Sequence, residues 1–153
     1  MNKRRVIPAI AITAIVLLQC LSFYIPVKGT PAPFKGNAEG AITDVSAGPE
    51  GVSLGGFATG HATHLGLYTR EEQLLLNPVT GAFTGEIVFT AADGDQLHCT
   101  LTGNFISATD AVGVYTITGG TGRFEEASGE AEFFASLPDG IHYTVEFIGT
   151  LDW

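Results

Sequence analysis

The stretch Phe83-Thr84-Gly85-Glu86-Ile87-Val88-Phe89-Thr90 decides the fold. An extended chain points successive side chains to opposite faces, so Phe83, Gly85, Ile87 and Phe89 share one face while Thr84, Glu86, Val88 and Thr90 share the other. Such alternation marks a half-buried antiparallel strand. Working outward, Leu97, Cys99, Leu101 and Gly103 oppose His98, Thr100, Thr102 and Asn104, and near the C-terminus Ile141, Tyr143, Val145, Phe147 and Leu151 alternate with His142, Thr144, Glu146 and Thr150. Asp93-Gly94 and Asp139-Gly140 fall between alternating runs and supply the positive φ of tight hairpins. The pattern predicts strands over 35–45, 52–66, 67–76, 82–92, 96–105, 112–118, 129–137 and 141–151. No predicted helix covers a sheet face, so closure is the best way to remove exposed edges. The expected fold is all-β, an eight-stranded antiparallel up-and-down barrel, with a two-sheet sandwich as second choice. An eight-stranded barrel has an interior wide enough for side chains or for one small ligand.

The 153 residues leave room for one such domain and a short appendage. The appendage is visible: Lys3-Arg4-Arg5 precedes an uncharged apolar run from Val6 to Ile25. A positive start followed by about 20 apolar residues reads either as a cleaved export signal or as a retained N-terminal membrane anchor, in both cases an apolar helix and a route out of the cell. Cleavage after Gly29 would release a secreted or periplasmic protein, and retention would tether it through residues 6–25. Gln19 before Cys20 is a poor lipoprotein signal. Residues 1–29 are thus a signal or anchor, 30–33 (Thr-Pro-Ala-Pro) a stiff linker, and 34–153 the barrel domain. From residue 30 onward, 3 basic residues face 16 acidic ones. That balance excludes a phosphate-neutralising nucleic-acid binder. Cys99 is the one cysteine of this part, so no disulfide is expected within it.

The cluster Thr118-Gly119-Gly120-Thr121-Gly122 has the look of a nucleotide loop, yet no helix pattern or Lys-Ser/Thr pair follows it. A glycine-dependent turn, with Phe124 packing inward and Arg123 pairing with Glu125 or Glu126, accounts for it better. The run Ile117-Thr118-Gly119-Gly120-Thr121-Gly122-Arg123-Phe124-Glu125-Glu126-Ala127-Ser128-Gly129 resembles the signature of the allene oxide cyclase barrel superfamily, which includes the plant dirigent proteins. Asp93 to His98, Thr102 to Phe105, and Tyr143 to Gly149 are similar to its flanking strands, and Gly60 to Gly66 and Phe34-Lys35-Gly36 resemble small exported bacterial members. Gly119, Gly120, Gly122 and Gly129 are read as structural turn residues. The resemblance implies an eight-stranded barrel with an apolar lumen, a homotrimer in the plant relatives, and no cofactor. It further implies catalysis by imposed substrate shape and exclusion of water, with a carboxylate on the first strand.

Glu39 is the acidic residue nearest that position, and as a lumen carboxylate it would have a raised pKa suited to proton transfer. The candidate ligand-binding residues are His64, Tyr68, Cys99, Asn104, Phe105, Tyr115 and Tyr143. His64 also reads as a buried or rim histidine bonded to a neighbouring strand, and Cys99, whose neighbour His98 points the other way, as a small core residue. His61 and His64 lie three apart and would face opposite sides of a strand, so no metal site is expected there. Asp93 and Asp95 offer too few oxygens for calcium. The sequence therefore points to a host for a small hydrophobic molecule, with or without isomerase or cyclase activity. The alternative is a non-catalytic secreted binding or structural module whose barrel is filled by its own aromatics.

Overall fold

The structure, a computed structural model, describes residues 30–153. The apolar helix, signal or anchor expected over 1–29, and Cys20 with it, lie outside the described residues. Eight strands follow in chain order: β1 (Ala32–Gly48), β2 (Gly51–Ala62), β3 (Gly66–Leu76), β4 (Ala82–Ala91), β5 (Gln96–Phe105), β6 (Asp110–Gly120), β7 (Ser128–Ser136) and β8 (His142–Asp152). Each pairs antiparallel with the next, and β1 pairs with β8 from Ala32↔Leu151 to Ala41↔His142, which closes the barrel. The sandwich is thereby excluded.

Inward positions follow directly from period two. Phe34 and Ala38 are buried on β1; Tyr68, Arg70 and Glu72 on β3; Phe83, Ile87 and Phe89 on β4; and Tyr143, Val145 and Phe147 on β8. All eight strands fall where expected, with most bounds shifted by one to four residues, and two of the shifts have a clear local cause. β1 takes in Ala32 and Pro33 of the expected linker, because Ala32 and Pro33 sit opposite Leu151 and Thr150 in the closing ladder; proline is tolerated at the first residues of a strand, where its missing N–H costs least. β2 stops at Ala62 rather than running to residue 66, because His64 (φ 69°) and Gly66 (φ 67°) both turn left-handed.

The two ends of the barrel differ. At one end the turns 63–65, 92–95 and 121–127 meet the start of β1 and the end of β8, and a 3-10 turn (Gly122–Phe124) drops Phe124 into the interior, fully buried. Arg123 ties this end together: it pairs with Asp93 and Asp95 and donates through Nη2 to the His64 carbonyl at 3.1 Å. The expected pairing with Glu125 or Glu126 is replaced by one with the neighbouring hairpin, so the two carboxylates read as a calcium candidate hold a guanidinium. Phe34, Phe89, Tyr115 and Phe147 interlock below, with ring centroids 5.0–6.4 Å apart. These rings plug that half of the lumen. The opposite end, where β1 runs into β2 and the turns 77–81, 106–109 and 137–141 lie, is a mouth rimmed by the half-buried Ile42, Leu54, Leu74, Phe105 and Leu137.

Candidate functional site

Beneath the mouth lies a cavity of about 60 Å³. Its wall is apolar (Ile42, Leu54, Leu74, Phe83, Ile87, Leu101, Phe105, Phe133 and Val145 among others), and its polar groups are Arg70, Glu72, Tyr115 and Tyr143. Apolar walls with a few convergent polar groups are the usual make-up of a small-molecule site, although such sites commonly reach about 300–1,000 Å³.

Arg70 and Glu72 project inward from β3, which presents Tyr68, Arg70, Glu72 and Leu74 on its inner face. They are 3% and 6% exposed, the two buried charged residues among those described. The guanidinium donates to Glu72 Oε2 from Nε at 3.1 Å and from Nη2 at 2.5 Å, and from Nη1 to the Tyr115 hydroxyl at 2.9 Å. It lies 5.6–5.9 Å from the ring centres of Phe89, Tyr115 and Tyr143. Burial opposes its charge, but Tyr115 and Glu72 outweigh that and its pKa is raised, so Arg70 stays a cation. A bare Cα at Gly56 makes room for the carboxylate: a side chain there would bring its Cβ to 2.7 Å from Glu72 Oε1.

The Tyr143 hydroxyl is buried and has no partner in good hydrogen-bond geometry, although the Glu72 carboxylate lies near it. An orphaned buried polar atom costs free energy that a bound partner would recover. Burial raises the hydroxyls of Tyr68, Tyr115 (to about 12) and Tyr143, the last also through nearby Glu72, so all three remain protonated donors. Tyr143→Phe is expected to leave stability unchanged or to raise it by up to about 1 kcal/mol, as read by urea denaturation; a loss of more than about 1 kcal/mol would show that the hydroxyl is already satisfied.

Of the residues the sequence proposed, Phe105, Tyr115 and Tyr143 come together around this cavity. Tyr68 faces inward but nearer the plugged end, where its hydroxyl donates to the Asn37 carbonyl at 2.8 Å. Cys99 is buried below the cavity, and burial pushes its thiol up to about 12, away from nucleophilic use. Three placements depart from expectation. Glu39 is exposed on the outer face of β1, because the inward Phe34 and Ala38 put odd-numbered residues outside. The lumen carboxylate is Glu72 instead. Asn104 is exposed on the outer face of β5, where its side chain donates to the Phe105 carbonyl. His64 sits exposed in the turn at the plugged end, with Nε2 3.1 Å from the Pro33 carbonyl and its ring 4.3 Å from that of Trp153. The neighbour-strand bond foreseen for His64 exists, far from the cavity. Gly119 (φ 129°), Gly122 (φ 56°) and Gly129 (φ 145°) hold left-handed or mirror-extended backbone, and a Cβ at Gly120 would strike the Gln96 carbonyl. All four serve the turn rather than a ligand.

The sequence matches no known protein-family model and no curated protein. Among solved structures, that of a pterocarpan synthase dirigent protein superposes with a TM-score of 0.61, covering 86% of this chain and 95% of that one at 16% identity. The barrel has the dirigent fold. At that identity the likeness covers the course of the backbone. Within this fold the lumen of the present chain holds an Arg70–Glu72 pair, in which Nε and Nη2 converge on the single oxygen Oε2, and two tyrosines, Tyr115 bonded to Arg70 and Tyr143 without a well-placed partner, below an apolar mouth.

Proposed function

We propose that the mouth-end cavity binds a small, largely apolar molecule and orients it for isomerisation or cyclisation, with Glu72 and Tyr143 as the groups that meet its polar atom. The observation that carries this reading is the buried, unpartnered Tyr143 hydroxyl beside the Arg70–Glu72 pair. A donor and a carboxylate fixed in a water-poor site are arranged to hold or move one proton, while the walls impose shape. The fold agrees with this, since one protein that shares it is a pterocarpan synthase. Export through residues 1–29 and assembly into homotrimers belong to the same proposal. The guest must push the rim side chains Ile42, Phe105 and Leu137 aside, because about 60 Å³ is below the size of ordinary ligand sites.

That small volume, with the ring plug below it, favours a second reading: a non-catalytic module with a filled barrel. Titration with the neutral probe N-phenyl-1-naphthylamine separates the two. Binding is expected to raise its fluorescence with a dissociation constant in the micromolar range, and Leu137→Trp, which crowds the mouth, is expected to weaken it by tenfold or more with the folded signal intact. Absence of any saturable signal would support the filled module.

A further inference from the structure

The electrostatics of the mouth select among guests. The described residues contain three Lys or Arg: Lys35, near the start of β1 at the plugged end; Arg123, held by Asp93 and Asp95 at that same end; and Arg70, occupied by Glu72 and Tyr115. None stands at the rim. Acidic residues do: Asp44 is two residues beyond Ile42, Asp110 adjoins Ala111, Asp139 is two beyond Leu137, and Glu50 lies in the β1–β2 turn. Ile42, Ala111 and Leu137 are cavity walls, so three of the four acids flank the opening itself. The groups facing them are neutral or weakly basic. Thr43 donates to Asp44, Ser107 and Ser136 donate to Asp110, and His142 Nδ1 lies 2.7 Å from Asp139. Bonds from the Ile141 and His142 amides also hold the Asp139 carboxylate, so it stays ionised.

We infer that the guest is an apolar molecule whose outer end is an amine or other cation left at the rim, and that carboxylate-bearing analogues are excluded. This rests on the cavity being a binding site, as proposed above. The inner end meets a neutral set, the Arg70–Glu72 pair and the unpartnered Tyr143 hydroxyl, so the guest's inner atom is an uncharged hydrogen-bonding group. A second negative charge there would meet Glu72. At the outer end, each acid about one Debye length away, roughly 8–10 Å near physiological salt, changes the local concentration of a monovalent ion by about 1.4-fold, up for cations and down for anions. A cleft lined by one sign of charge focuses that field. Several such acids place an amine and a carboxylate of the same body roughly tenfold apart in affinity.

The test is a matched series, 4-phenylbutylamine, 4-phenylbutanol and 4-phenylbutanoate, titrated against the protein at low salt by calorimetry. The amine is expected to bind about tenfold more tightly than the acid, with the alcohol between them. In Asp44→Asn/Glu50→Gln, two exposed positions, the gap is expected to narrow, because Asp110 and Asp139 remain, and in about 0.5 M NaCl, where the Debye length shrinks to a few Å, it is expected to close, while in both cases the alcohol changes less than twofold. Leu137→Trp is expected to weaken all three. Binding of the alcohol with the acid equal to or tighter than the amine overturns this inference and leaves the cavity reading standing. An amine preference untouched by salt and by the double substitution overturns it equally, since the rim would not be its source. No binding by any of the three brings down the cavity reading itself.

Discussion

Arg70→Leu is expected to destabilise the protein by about 3–5 kcal/mol, the usual cost of stripping the partner from a buried charge. The substitution leaves Glu72 6% exposed with no cation, and it removes the hydrogen bond to the Tyr115 hydroxyl. In Arg70→Leu/Glu72→Leu both charges leave together, and most of the loss is expected to return, because a buried ion pair replaced by apolar groups is often neutral or stabilising. Urea denaturation midpoints of the wild type, the two single variants and the double variant form a closed cycle. Should Arg70→Leu cost less than about 1 kcal/mol, the pair would have to be well hydrated through the mouth. That combination, a large cost for one substitution and its return in the double variant, is the outcome expected of a pair that folding does not need.

The second large effect is expected at Gly129, at the start of β7. Its φ of 145° is a conformation that side chains rarely adopt, and a Cβ there would run into the Thr150 carbonyl and the Leu151 backbone of β8. Both obstacles are main chain, in a ladder that pairs Gly129 with Leu151, so no rotamer change can relieve them. Gly129→Ala is expected to cost more than about 4 kcal/mol, seen as loss of soluble protein or of the cooperative thermal transition. Gly94→Ala is the control. Gly94 also has positive φ (94°), but nothing lies within 4 Å of its would-be Cβ, so only the conformational cost of about 1 kcal/mol applies. A similar small loss at both glycines would mean that β7 and β8 can move apart at that point.

The strand pattern was legible because β4, β5 and β8 carry mostly apolar side chains on one face and mostly polar ones on the other, as in Phe83 to Phe89 and Tyr143 to Phe147. The turn residues Asp93-Gly94 and Asp139-Gly140 sit where hairpins occur. Closure between β1 and β8 could not be read from local pattern, since it depends on two segments more than a hundred residues apart; the lack of a helix to cover a sheet face made it the first choice over a sandwich, and the resemblance around Gly119 to Gly129 agreed. The functional cluster was legible in part. Tyr115, Tyr143 and Phe105 were found through their aromatic character on inward positions. Arg70 and Glu72 were missed because Arg70-Glu71-Glu72 has the appearance of a solvated charge run, the ordinary fate of such residues. The available signal was parity: Tyr68, Arg70, Glu72 and Leu74 share a face that carries an aromatic ring, and the opposite face (Leu67, Thr69, Glu71, Gln73 and Leu75) carries none. Glu39 misled for the complementary reason. β1 alternates small residues such as Gly36, Ala38 and Gly40 with polar ones, and only Phe34 marks which set turns inward.

The first and last strands meet at the plugged pole: β1 starts there at Ala32 and β8 finishes there at Asp152. A partner or bead joined just beyond β8 holds the barrel by its base, and the apolar mouth points away from the attachment like the lip of a cup set upright. Immobilised through its C-terminus, the barrel presents its mouth to the medium and its ring plug to the support.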